Sequence, residues 1–382
     1  MTEQFPDGAP RPSAMTAEPA SIHRITGLDA FAAGSSAQQC DLFAAALSPA
    51  PAAVLSGAAE GWHTADQGAR RLLPAVSVYA LPGHVLGGEG LLLGPDRCLF
   101  GKEDCLPADL RGTLLTAGAP PSWLGALAAA EAEVIEVSAP CLVPFHPAAE
   151  AARFFTDILP RLYLHALLRD LGRAFPLAVS QAVPDWMRRI LALYAHERDI
   201  VWYDPARQVV RAPCFVVPGI MQSAGLFHPA MNLAVEDFVR RSGAAAAPAG
   251  ATRLYLSYRT YEDGRFCRLD NAGELAAMLA AQGFRTPEPW RMTLAAQLAT
   301  YRAADCIVAE PGGAAANALF AAPGGRIMVI GAPEPVLYQI CALRGHRLAV
   351  LAPSEDGAEE RLRVDVGAAG ALLARLLAGA GQ

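Results

Sequence analysis

From Thr252 onward the chain alternates two hydrophobic periods with a regularity that few architectures accept. Short apolar runs at Leu254–Tyr258, Cys306–Ala309, Ile327–Ile330 and Leu348–Leu351 read as strands. Between them, helix-period segments fall at Ala272–Gln282, Leu294–Arg302, Gly313–Ala321 and Val336–Arg344, and a last helix at Gly367–Leu377. On the first of these helices Leu275, Met278 and Leu279 share a face, and Gly283 marks its stop. Strands alternating with helices every ~20 residues require βαβ units and a parallel sheet.

Upstream the rhythm differs. Residues 21–145 carry short apolar runs broken by Gly and Pro, with strands predicted at Val76–Leu81, Val85–Leu93 and Glu133–Val137. That spacing predicts a small antiparallel or mixed β-rich segment. Near His146 the pattern turns α/β. A helix over Ala148–Leu171 holds Phe154, Ile158 and Leu162 at four-residue spacing, and Pro160 inside it forces a kink or a late start. A strand at Pro176–Ser180, a helix at Asp185–His196 and strands at Ile200–Tyr203 and Cys214–Val217 follow. The Ala/Gly/Pro run Gly243–Gly250 reads as a linker. The expected organisation is a loose tail over 1–20, the β-rich segment over 21–145, one α/β lobe over 146–242 and another over 246–382.

Composition narrows the class. Of the 382 residues, 53% are hydrophobic and 18% charged, enough apolar surface for large cores. A net charge of -6 argues against general nucleic-acid binding. The longest uncharged stretch, Ala212–Val235, holds three prolines, Gly219, Gln222, His228 and Asn232 among its residues, which is no membrane span. The first twenty residues lack the apolar core of a secretory signal. The eight cysteines form no C-x-x-C pair, and Cys214 and Cys306 lie in apolar runs as buried thiols do. A reducing, cytoplasmic setting fits this usage. No D-x-D or H-E-x-x-H occurs and the histidines are scattered, so neither a metal nor another cofactor is expected.

Chemistry concentrates after the strand ending at Ala309, in Glu310-Pro-Gly312-Gly313-Ala-Ala-Ala-Asn317. Glycines let backbone N–H groups approach an anion, and a helix N-terminus adds positive potential. In an open parallel sheet ligands gather at the carboxyl ends of strands. The turn therefore reads either as a diphosphate cradle or as a tight βα connection whose glycines serve packing. Arg253, Arg259, Arg265 and Arg268 cluster around the first strand of this half. Arg259 and Ser257 lie at its carboxyl end, where a planar guanidinium suits a phosphate, although solvated surface arginines would look alike. Glu310 would meet ribose or sugar hydroxyls, or else pair with an arginine such as Arg326. Asn271 and Glu274 have the spacing of a capping box.

Taken together, these segments resemble glycosyltransferase family 61. The resemblance rests on Phe154-Phe-Thr-Asp157-Ile-Leu-Pro160-Arg161-Leu162, then Tyr255-Leu-Ser257-Tyr-Arg259, Arg268, Asn271, Gly283-Phe284 and Gln297. It closes with Gly312-Gly-Ala-Ala-Ala-Asn317-Ala-Leu-Phe320 and Pro323-Gly324. The ordered set spans about residues 146–335. The usual histidine before Gly312 is Pro311 here, and the usual glutamates after Asn271 and before Gln297 are Ala272 and Ala296.

The resemblance implies a GT-B-like α/β fold, with two Rossmann-like domains facing across a cleft and the C-terminal one holding a nucleotide-sugar. It implies an inverting, metal-independent transfer to a glycan or lipid-linked glycan acceptor in surface or capsular polysaccharide synthesis, at the periphery of the inner membrane. Ser257, Arg259, Arg268, Glu310, Gly312, Gly313 and Asn317 are the expected donor-site residues. Asp157 is the leading base candidate and Asp237 the second; a helix cap or an ion pair to Arg161 would equally account for Asp157. The altered positions also fit a different class, a catalytically degenerate binding or scaffold subunit of a polysaccharide assembly system.

Overall fold

A computed structural model of the chain describes residues 23–24, 38–56, 62–64, 70–88, 90–94, 98–100, 132–144, 154–223, 226–244, 252–258, 269–310, 313–352 and 362–378. It divides into two compact units. Unit 1 comprises Met1–Leu42, Ser77–Ala149 and Leu164–Ile220; unit 2 comprises Phe43–Val76, Glu150–Tyr163 and Met221–Gln382.

Unit 1 is built on two six-stranded sheets. In one, strands Ile200–Tyr203, Leu177–Ser180, Cys141–Leu142 and Cys214–Pro218 run parallel, and Val76–Pro82 adds antiparallel to the last. The Leu177–Ser180 strand is buried throughout, as a parallel strand covered on both faces must be. The other sheet takes its strands from the β-rich N-terminal region, with Gln208–Arg211 inserted between Val85–Gly87 and Glu133–Glu136, and mixes parallel and antiparallel pairs. The single strand expected over Val85–Leu93 is instead a hairpin of Val85–Gly87 with Leu91–Leu93. Gly88 and Gly90 turn the chain there at φ 56° and 91°, conformations that cost other residues a steric penalty.

Unit 2 contains the Rossmann-like sheet. Its strands are β1 (Ala53–Ser56), β2 (Trp62–Thr64), β3 (Thr252–Leu256), β4 (Phe284–Arg285), β5 (Ala304–Ala309), β6 (Arg326–Ile330) and β7 (Arg347–Leu351). They lie in the order β4-β3-β5-β6-β7-β1-β2, all parallel except β2. The helices are α1 (Met231–Arg241), α2 (Ala272–Ala281), α3 (Leu294–Arg302), α4 (Pro335–Arg344) and α5 (Val366–Ala378). Along β5, Cys306 and Val308 join the core under α2 and α5 with Leu275, Leu279, Leu372 and Leu373, while the alternate Ile307 and Ala309 are buried on the opposite face. Both faces are dry, which is why these strands read as unbroken apolar runs.

The strand order has a functional consequence. After β3 the chain crosses to β4 on one side, then returns past β3 to β5 on the other. The connections therefore diverge between β3 and β5. In doubly wound sheets this topological switch point opens a crevice at the strands' carboxyl ends.

Two local expectations are corrected. Gly313–Phe320 is a 3₁₀-helix, not an α-helix. Side chains claim its carbonyls: Asn317 Nδ2 takes that of Ala314 at 3.1 Å and the His346 ring that of Ala318 at 2.9 Å. Such competition favours the tighter turn. Asn271 precedes α2, but its side chain does not cap it. Its amide instead donates to Val364 O (2.8 Å) and accepts from Val364 N (3.1 Å), clamping the segment that leads into α5. The proposed linker lies outside the described residues beyond Ala244, as do the tail and Arg259, Arg265, Arg268, Pro311 and Gly312.

Candidate functional site

The switch point brings together the exits of β3 and β5. Tyr255, Ser257 and Tyr258 come from the first, Glu310 and the 3₁₀-helix from the second. Glu310 is 1% exposed. Its Oε1 accepts from the Tyr255 hydroxyl at 2.6 Å and the Ser257 hydroxyl at 2.5 Å, and its Oε2 accepts from Tyr258 N–H at 3.1 Å. Three donors make a buried carboxylate tolerable where an unpaired one would be prohibitive. Arg326, the expected alternative partner, pairs with Asp305 at 3.7 Å instead. The carboxylate therefore faces the interior, and the protein itself supplies the hydroxyls that a ligand was expected to supply.

The hydroxyl of Tyr258 accepts from Ala314 N–H at 2.9 Å, near the start of the 3₁₀-helix. Gly313 is exposed, and no described residue beyond its chain neighbours lies within 4 Å of where its Cβ would sit. Among the described residues, packing does not demand that glycine. Gly219 in unit 1 is the contrast: a Cβ there would meet Ser77 O at 2.8 Å.

Asp157 lies in one π-helical turn, Phe154–Ile158, just ahead of the α-helix Leu159–Asp170. The kink or late start expected from Pro160 falls where this turn gives way to the α-helix. Single π-turns are frequent at functional positions. Phe155 wedges the turn against α1 and the 3₁₀-helix, edge-on to Phe320 at 4.9 Å and beside Phe238 at 5.8 Å. The turn that carries Asp157 is thus packed, within unit 2, against the same 3₁₀-helix that follows Gly313. Asp157 is half-buried, and its Oδ1 accepts from Thr156 Oγ1 at 2.9 Å and Gln222 Nε2 at 3.3 Å.

Asp237 has a different environment. It is buried on α1, with one oxygen held by Arg240 and the other by Arg241 at 2.6 Å. Both its oxygens are therefore engaged in charge-assisted pairs within its own helix. Phe155, Tyr255 and Tyr258 stand inside the quoted motifs without an assigned role, and no local pattern gives Gln222 one.

Behind the 3₁₀-helix lies a charged lattice. The buried Arg344 donates to Asn232 Oδ1, Glu236 Oε1 and Ala321 O, each at 2.9 Å. Glu236 also accepts two bonds from Arg302, at 2.8 and 2.7 Å. Burial alone would raise the Glu236 carboxyl, but the hydrogen bonds and charges of Arg302 and Arg344 outweigh it and hold the group below its ordinary value. Burial pushes the His346 imidazole down to about 4, the hydrogen bond to Ala318 O only partly opposing it. Among the described residues no group of three His, Cys, Asp or Glu is placed to hold a metal ion, and no helix is long and apolar enough to cross a membrane.

This geometry sits within a recognised segment. Residues 152–328, from just ahead of the π-turn into β6, match the family model Glycosyltransferase 61. It is the family that the ordered motifs resemble. No curated protein matches the chain.

Proposed function

We propose that the protein transfers a sugar from a nucleoside-diphosphate donor to an acceptor hydroxyl, with inversion and without a metal. One observation carries the reading: the switch point of the Rossmann-like sheet, with the exposed Gly313 beside it, falls inside the family 61 match. Unit 2 is the donor lobe of a GT-B-type enzyme. Gly312, Gly313 and the start of the 3₁₀-helix face the diphosphate, with Asn317 on that helix and Ser257, Arg259 and Arg268 from the β3 side. Arginines and backbone N–H groups neutralise the charge that develops on the leaving diphosphate, the task a metal performs elsewhere. Asp157 takes the proton of the acceptor hydroxyl as that oxygen attacks the anomeric carbon. The acceptor is a glycan or lipid-linked glycan of surface polysaccharide synthesis, met in the cytoplasm at the inner membrane.

Two variants test this. Losing one charge-assisted bond costs about 1.5–3 kcal/mol, so Arg259→Ala weakens nucleoside-diphosphate binding by about one to two decades in calorimetry. Asp157→Asn keeps donor binding and abolishes transfer. The scaffold reading predicts that a panel of nucleotide-sugars produces neither donor hydrolysis nor a thermal shift, and that outcome would displace the enzyme reading.

A further inference from the structure

We propose that Tyr258 is the positioning residue of this donor site, a two-point staple that fixes the start of the 3₁₀-helix relative to the end of β5. The proposal rests on the donor reading above. Tyr258 N–H is held by Glu310 Oε2 at 3.1 Å, and the Tyr258 hydroxyl holds Ala314 N–H at 2.9 Å. Glu310 and Ala314 stand four positions apart in sequence, and one residue of the neighbouring strand's exit grips both.

Glu310 is the fixed end of the staple. It is buried, its N–H donates to Leu256 O at 3.1 Å, and Tyr255 and Ser257 hold its other oxygen. Tyr255 is itself buried on β3. The phenol is the arm that reaches out from this anchor. The first N–H groups of a helix have no partner within it, and the Tyr258 oxygen supplies one for Ala314. A phenylalanine would fill the same space and accept nothing.

The consequence is preorganisation. An anion at Gly313 needs its backbone donors held in place before it arrives; otherwise ordering the turn is subtracted from its affinity. Tyr258 does this through the backbone, without touching the ligand.

The test is Tyr258→Phe, read in two ways. Hydrogen exchange at the Ala314 amide is expected to quicken about 5-fold, the equivalent of one ordinary hydrogen bond of ~1 kcal/mol. Calorimetry with UDP, GDP, ADP and CDP, each beside its own nucleoside, is expected to show the bound diphosphate losing several-fold in affinity. The nucleoside's affinity holds, and the melting temperature drops by no more than a few degrees. Equal loss for diphosphate and nucleoside would reduce Tyr258 to a general structural role and overturn the proposal. A gain in diphosphate affinity would overturn it too, because the phenol would then be competing with phosphate for the Ala314 amide. Unchanged exchange at Ala314 refutes the staple whether or not nucleotides bind. A wild-type chain that binds none of the four diphosphates, yet shows the exchange difference, refutes the donor reading instead.

Discussion

Glu236→Ala is expected to destabilise unit 2 by an amount the lattice around Arg344 sets. The Arg344 side chain is 1% exposed and that of Glu236 is 41% exposed. Removing one partner of a fully buried ion pair costs about 3–5 kcal/mol, because the remaining charge stays uncompensated. Here water reaches the carboxylate, and Arg344 keeps Asn232 Oδ1 and Ala321 O. The cost is therefore discounted toward that of a charged hydrogen bond, about 1.5–3 kcal/mol. For a domain of this size that lowers the melting temperature by roughly 4–8 °C. Glu236→Gln keeps an acceptor for Arg344 and is expected to lose less. The double variant Glu236→Ala/Arg344→Met removes the stranded charge, so its loss falls short of the sum of the single losses. Thermal unfolding monitored by circular dichroism measures all four. If Glu236→Ala melts within a degree of wild type, or the double loss is additive, the lattice is not what joins α1, α3 and α4.

Two further perturbations follow from the same unit. His346 has its folded pKa depressed to about 4 from an ordinary 6.5, so the unfolded chain binds the extra proton first and stability falls as pH drops from about 6.5 to about 4. The loss attributable to this group is on the order of 2–4 kcal/mol; His346→Gln should flatten that part of the melting-temperature profile, and an unchanged acid slope would remove His346 as its cause. Asn271→Asp is expected to cost as much as Asn271→Ala, about 2–3 kcal/mol in chemical denaturation, because aspartate cannot donate to Val364 O. An Asp variant as stable as wild type would restore Asn271 to a helix-capping role.

Much of the C-terminal architecture is legible locally. Buried parallel strands need apolar residues on both faces, so β5, β6 and β7 announce themselves in sequence, and the helix Leu294–Arg302 is found with the bounds expected of it. What stays hidden is partnership between distant segments. Asn271 and Glu274 have the spacing of a local cap, yet the amide is taken by a backbone 93 positions away. Nothing about Glu310 foretells that Tyr255 and Ser257 face it, since that depends on the register of β3 against β5. The Ala-rich run after Gly313 cannot choose between α and 3₁₀ by itself; His346 and Arg344, from elsewhere in the chain, bind the carbonyls of Ala318 and Ala321. Ala53–Ser56 is too short and too plain to declare which sheet it joins.

That last strand sets a timetable for synthesis. β1 leaves the ribosome early, but its neighbour β7 lies about 290 residues further on. At ~5–20 residues per second, β1 waits roughly 15–60 s for the edge it pairs with. Until then an apolar strand with unpaired N–H and C=O groups is open to other nascent chains. Trigger-type holdases or a slow-translating stretch ahead of β7 would therefore alter the yield of folded protein more than its final stability, and a fragment beginning after β1 would leave the β7 edge bare.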